Sequence, residues 1–185
     1  MVIQPKHTVQ DFEAYITLPE NADLLFELIS GEIVEKVPSN HYASVIAQLI
    51  AFFIQQFIRQ QGIEGYVSGE AGGFIIGGDR DAPDVAFLLK ARSPEPVRQG
   101  YHPVPPDLAV EVETNTTTTT ERRLRAKVLN YLDAGVVVWV VYPETQEVEV
   151  YVPGQTMQKL GIDDVIDGGD VLAGFSVAVK EIFTG

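Results

Sequence analysis

Three carboxylates and one amine stand out in this sequence. Asp84 follows Pro83 at the head of the apolar run "DVAFLLK", Glu111 and Glu113 interrupt "PDLAVEVET", and Lys127 lies in the segment after it. Side chains alternate across a strand, so Leu108, Val110 and Val112 share one face of 108–114 and Ala109, Glu111 and Glu113 the other. By the same count Asp84 shares a face with Ala86 and Leu88. If the two strands are neighbours, Asp84 and Glu111 converge at one end of a sheet. Two carboxylates held close repel one another and burial penalises both charges, which a divalent cation remedies. Lys127 lies three residues after Leu124 and four before Tyr131, on the margin of the apolar stripe Leu124, Val128, Tyr131, Leu132. An inward-leaning amine there needs a partner or a task. Asp, Glu and Lys around a hard metal suit phosphodiester hydrolysis. The metal polarises the phosphoryl oxygen and acidifies a bound water, and the lysine orients that water and steadies the developing charge.

Each residue also has an ordinary reading. Asp84 could be a turn or strand-edge aspartate after proline. Glu111 could be an edge-strand glutamate facing water, and Lys127 a lysine snorkelling from the border of its stripe. Glu27 and Glu70 are within reach of such a site but read first as surface or hydrogen-bonding residues. His41 reads as a packed or capping histidine. The glycine-rich stretch 69–78 is not a phosphate loop, because no Gly-Lys-Ser/Thr follows it.

The elements that must position these groups follow from pattern. "LLFELISGEIVEKV" reads as a hairpin turning at Ser30-Gly31. Ser39 or Asn40 caps a helix over 41–61, with Tyr42, Val45, Ile46, Leu49, Phe53 and Phe57 as its apolar stripe and Gly62 as its stop. "IEGYVSGEAGGFIIGG" and "APDVAFLLK" give two strands separated by glycines and a charged turn, Asp79-Arg80-Asp81. Five prolines make 90–106 a surface loop. A strand over 107–114 leads to a helix starting near 119, for which Thr118 and Glu121 have capping-box spacing and Gly135 is the stop. "VVVWVVY" reads as a strand buried on both faces, and "QEVEVYV" as one with a wet face. A short strand pair around Val165 and Phe175–Val179 and a helical turn at 180–183 close the chain. The order predicts an α/β or α+β fold: a mixed sheet packed by two helices, with a leading hairpin.

Composition bounds the chemistry. At 185 residues the chain is expected to form one domain. There is no cysteine, so disulfides and thiolate metal sites are excluded, which fits a reducing cytoplasm. His7, His41 and His102 are scattered, so a metal would be held by oxygens, favouring Mg²⁺ or Mn²⁺. The longest uninterrupted apolar run, Val136–Tyr142, is too short to cross a bilayer, and the N-terminus lacks a signal-peptide pattern. The net charge of −13 opposes binding to phosphate backbones unless positive charge is concentrated locally. Arg122, Arg123, Arg125 and Lys127 are the densest such patch.

Pro83-Asp84-Val85, "PDLAVEVET", the helix bearing Lys127-x-x-x-Tyr131-x-x-Ala134-Gly135-Val136, and "VWVVYPETQEVEVY" together resemble the cyanobacteria-rich "putative restriction endonuclease" family, formerly a domain of unknown function, of the PD-(D/E)XK nuclease superfamily. "FELISGEIVE", His41 and "LAGF" at 172–175 match the same style, so the resemblance covers nearly the whole chain. It implies a restriction-endonuclease-like fold over 1–185 and a Mg²⁺- or Mn²⁺-dependent endonuclease acting on DNA, with a homodimer for paired cuts. Asp84 and Glu111 would be the metal ligands and Lys127 the catalytic lysine. The superfamily usually sets that lysine two residues after the second acid, where this chain has Glu113. A third carboxylate there is compatible with a second metal, and equally with a catalytically silent module that binds a protein partner.

Overall fold

The computed structural model describes residues 6–37, 40–114 and 117–184. Its centre is a six-stranded mixed sheet in the order β10-β9-β8-β7-β6-β3. The strands are β3 (Gly65–Gly69), β6 (Val85–Leu89), β7 (Leu108–Val112), β8 (Val137–Tyr142), β9 (Glu147–Tyr151) and β10 (Gln158–Leu160). β7 and β8 run parallel because α3 (Thr118–Asp133) crosses between them; the other neighbours are antiparallel. α2 (His41–Gln61) covers one face, over Leu108, Val110 and Val112, while α3 covers the other, over Ala86, Leu88 and Ala109. The expected alternation therefore holds over Leu108–Val112, where the strand is shorter than the expected 107–114.

A second, four-stranded sheet, β2-β1-β5-β4, abuts α3. β1 (Phe26–Ile29) and β2 (Glu32–Glu35) are the expected hairpin, and Ser30 (φ 51°) and Gly31 (φ 82°) both take the left-handed backbone of a tight twisted turn. Two expectations need correction here. The hairpin is preceded by α1 (Val9–Ile16), whose Phe12 is fully buried against Phe26 and Leu28. And Asp79-Arg80-Asp81 is not a turn. It forms β5 (Asp79–Asp81), which pairs with β1 and with β4 (Phe74–Ile76), while Gly77 and Gly78 make the turn. Three charged residues in a row read as loop, but tertiary pairing overrides their poor strand propensity.

The remaining elements are β11 (Val165–Asp167), β12 (Ser176–Ala178) and a single helical turn, α4 (Val179–Ile182). Helix bounds follow their caps. The Asn40 side chain accepts from the Ala43 N–H, and Gly62 (φ 67°) ends α2; Ser39 lies outside the described residues. α3 is capped one residue earlier than expected, by a reciprocal Thr117/Thr120 box. The buried stripe of α2 is also rotated: Ala43, Ile46, Ala47, Ile50, Ile54 and Ile58 face the sheet, while Tyr42 and Phe52 are exposed. With no acid and only Arg59 among the cationic residues, α2 is apolar around most of its circumference, so periodicity alone does not select its inner face. Among the described residues α2 is also the one helix long and apolar enough to cross a membrane, yet its isoleucines are seated in the main core.

Candidate active site

The two sheets meet at α3, and the acids and amines gather at that seam. The β6–β7 register pairs Val85 with Val110 and Ala86 with Ala109, which carried one step further sets Asp84 opposite Glu111. Asp84 is locked there, since its Oδ2 accepts the Val112 N–H at 2.8 Å. Glu111 sits on a central strand and is only 7% exposed, so it is no edge-strand glutamate facing water. Lys127 is 6% exposed and does not snorkel: its Nζ lies 2.8 Å from Glu111 Oε1 and 2.9 Å from Glu27 Oε1. The structure thus brings Asp84, Glu111 and Lys127 to one cleft of about 240 Å³, whose walls also include Glu27, Lys36 and Glu113.

Four participants lie outside the Asp84, Glu111, Lys127 set. Glu27, read as a surface or hydrogen-bonding residue within reach of the site, is the latter: it is buried on β1 and accepts from Lys127 and from the Ala82 N–H at 2.7 Å. Its place between Leu24-Leu25-Phe26 and Leu28-Ile29 is the available signal. Asp81, hidden inside the misread turn, is fully buried, and neither of its oxygens accepts a hydrogen bond. Tyr131 donates its hydroxyl to Glu111 Oε1 at 3.1 Å, from a position the stripe assigned to plain core. Lys36 donates to Asp84 Oδ1 at 3.1 Å and to the Ala82 carbonyl. Glu70 is exposed, as expected; His41 is exposed too and is not the cap, which is Asn40.

Burial and mutual repulsion set the protonation states. Burial, reinforced by Asp84 and Glu27, pushes the Glu111 carboxyl up to about 7 despite the amine beside it. Burial likewise raises Asp81 well above the usual carboxylate range, with Glu27, Glu111 and Asp79 adding to it. Glu27 goes the other way: Lys127 and Lys36 outweigh its desolvation and hold its carboxyl low. The acids around Lys127 raise its amine well above an ordinary lysine against the pull of burial, so it is a fixed cation.

The arginines of the densest basic patch are paired within the protein. Arg122 and Arg123 both pair with Glu32, at 2.7 and 3.1 Å, and Arg125 pairs with Glu149 at 2.8 Å. Glu149 also accepts from the Tyr142 and Tyr151 hydroxyls.

The donor set suits a hard divalent cation. Among the described residues no three acidic or histidine side chains form a ready-made metal nest. Mg²⁺, however, is commonly held by one or two carboxylates and completes its shell with water and substrate oxygens. Asp84 and Glu111 at facing strand positions on the wall of an open cleft meet that requirement.

No curated protein matches the chain. Its fold matches the crystal structure of a "putative nuclease belonging to DUF820" from Anabaena variabilis ATCC 29413, with a TM-score of 0.79 at 22% identity, covering 95% of this chain and 97% of that one. A family model described as "Uma2: Putative restriction endonuclease" matches residues 10–180, nearly the whole chain, and the protein therefore belongs to that family.

Proposed function

We propose that this protein is a Mg²⁺-dependent (or Mn²⁺-dependent) endonuclease that hydrolyses phosphodiester bonds in DNA, with residues 1–185 acting as one nuclease domain. The observation that carries the reading is the opposition of Asp84 and Glu111 across β6 and β7, with the Lys127 amine on Glu111, in an open cleft. Membership in a restriction endonuclease family supports it. Asp84 and Glu111 would hold the ion, which when bound polarises the phosphoryl oxygen and acidifies a coordinated water. Lys127 orients Glu111, and its fixed positive charge steadies the anion that develops on the phosphate. Tyr131 holds the same carboxylate from the helix side. Paired cuts in a duplex favour a homodimer, and the lack of cysteine suits the cytoplasm.

The test is Mg²⁺ calorimetry with a plasmid-nicking assay on wild type and Asp84→Asn. The amide keeps an acceptor for the Val112 N–H, so the fold is expected to survive while nicking falls on the order of 100-fold or more. A wild type that gives neither Mg²⁺ heat nor nicking overturns the reading. One observation favours a second reading, a silent nuclease-fold module that binds a protein partner: Lys36 and Lys127 already sit on Asp84 and Glu111. Under it, wild type captures protein partners and shows no heat with Mg²⁺.

The internal pairing of the arginines gives a further expected result. Glu32→Gln releases Arg122 and Arg123 from their shared carboxylate. Duplex binding measured by fluorescence anisotropy is then expected to tighten, with the salt slope steeper by about one to two.

A further inference from the structure

The cleft contains two lysines that differ in what they can reach. Lys127 is buried, and its partners Glu27 and Glu111 are buried with it. Lys36 leaves the end of β2 at the rim of the hairpin, with its side chain 15% exposed beside an Asp84 that is 21% exposed. The Asp84 carboxylate is divided between two donors. Oδ2 is committed to the Val112 N–H, and Oδ1 takes the Lys36 ammonium. The oxygen that a cation would claim is therefore the one Lys36 occupies. The same ammonium also donates to the Ala82 carbonyl, an anchor independent of Asp84. Its three protons allow it to keep that anchor and still serve another acceptor.

We propose that Lys36 is the resident counter-ion of the Asp84 half of the site, yielding Oδ1 to an incoming divalent cation and then donating to a non-bridging phosphate oxygen of the substrate. Lys36 is a better candidate for touching the phosphate than Lys127, because its amine stands at the cleft rim and its pair with Asp84 is partly hydrated, hence cheap to exchange. Two positive charges on one carboxylate oxygen repel, so the amine and the ion compete in the free protein and cooperate once an anionic phosphate lies between them. The proposal rests on the metal-dependent reading given above, and it adds a residue outside the Asp84, Glu111, Lys127 set.

The test titrates Mg²⁺ into the full chain without DNA by calorimetry, for wild type, Lys36→Ala, Lys36→Gln and Lys36→Arg. Glutamine keeps a donor for the Ala82 carbonyl and removes only the charge, which guards against a folding defect in the alanine variant. Loss of the competing amine is expected to tighten Mg²⁺ binding about two- to fivefold in the alanine and glutamine variants, with arginine near wild type. Plasmid nicking by the same two variants is expected to show a higher KM and a salt slope shallower by about one, with arginine restoring both. Unchanged or weaker Mg²⁺ binding without the charge overturns the counter-ion role. An unchanged KM and slope overturns the phosphate contact. A wild type that binds Mg²⁺ yet never nicks DNA sinks the nuclease reading alone, since the Mg²⁺ affinities of the variants still decide the role of Lys36.

Discussion

Lys127→Met is expected to lower stability by about 3–5 kcal/mol, because it removes one partner of a buried charge cluster and leaves the others uncompensated. For a chain of this size that corresponds to a fall in Tm of roughly 10 °C. Glu27 and Glu111 both lean on this amine, at 2.9 and 2.8 Å, and Asp81 feels it without touching it. The methionine fills much of the lysine stem's volume, so the loss reports charge rather than a cavity. Adding Glu111→Gln removes one of the two stranded carboxylates, and the double variant is expected to be more stable than Lys127→Met alone. Urea unfolding of the four proteins closes the cycle. A lysine whose loss cost under about 1 kcal/mol would be a peripheral side chain and not the centre of the cluster. Nicking is expected to disappear in Lys127→Met while Mg²⁺ still binds, since Asp84 and Glu111 both remain.

The parts of the site legible in the sequence were those that lie on regular, periodic elements. Alternation placed Glu111 against Ala109, and helical spacing brought Lys127 toward the same side, because both follow from local geometry. What stayed hidden depends on contacts far apart in the chain. Glu27 meets Lys127 across 100 residues, so its apolar neighbours hint at burial while its partner is set by the tertiary fold alone. Asp81 was masked by its charged neighbours, since a strand of Asp-Arg-Asp is written by the β1 and β4 edges that flank it and not by propensity. The rotation of the α2 stripe has the same origin. A helix apolar on nearly all sides offers several faces, and only the sheet decides which is inside. The pairing of the basic patch was not legible either, because adjacency along a helix shows where cations are but not which acids neutralise them. Glu32 lies 90 residues before Arg122.

In metal-free protein, stability is expected to fall as pH rises from about 4.5 to about 7, and this dependence is the second large effect. Glu111 is a carboxylic acid whose folded-state pKa is raised, to about 7 from an ordinary 4.5. Below 4.5 it is protonated in both states and costs nothing extra. Between 4.5 and 7 the unfolded chain releases the proton while the folded one keeps it, so rising pH favours unfolding until the folded group ionises too. The full excursion amounts to about 3 kcal/mol, at roughly 1.4 kcal/mol for each pH unit of displacement. Asp81 is displaced in the same sense and steepens the fall. Glu27, held low by Lys127 and Lys36, acts oppositely: its contribution is present above pH 4.5 and is lost as pH drops through its lowered folded value. Lys127, raised in the folded state, stabilises at all pH values below about 10.5 and leaves the neutral window untouched. The net expectation is an optimum on the acid side of neutrality, checked by Tm against pH in EDTA. Glu111→Gln is expected to flatten the decline between pH 5 and 7. Saturating Mg²⁺ should flatten it as well, because a divalent charge beside Asp84 and Glu111 favours the ionised carboxylate and couples ion binding to proton release. A decline that persisted unchanged with Mg²⁺ present would place the ion away from Glu111, and with it the proposed chemistry.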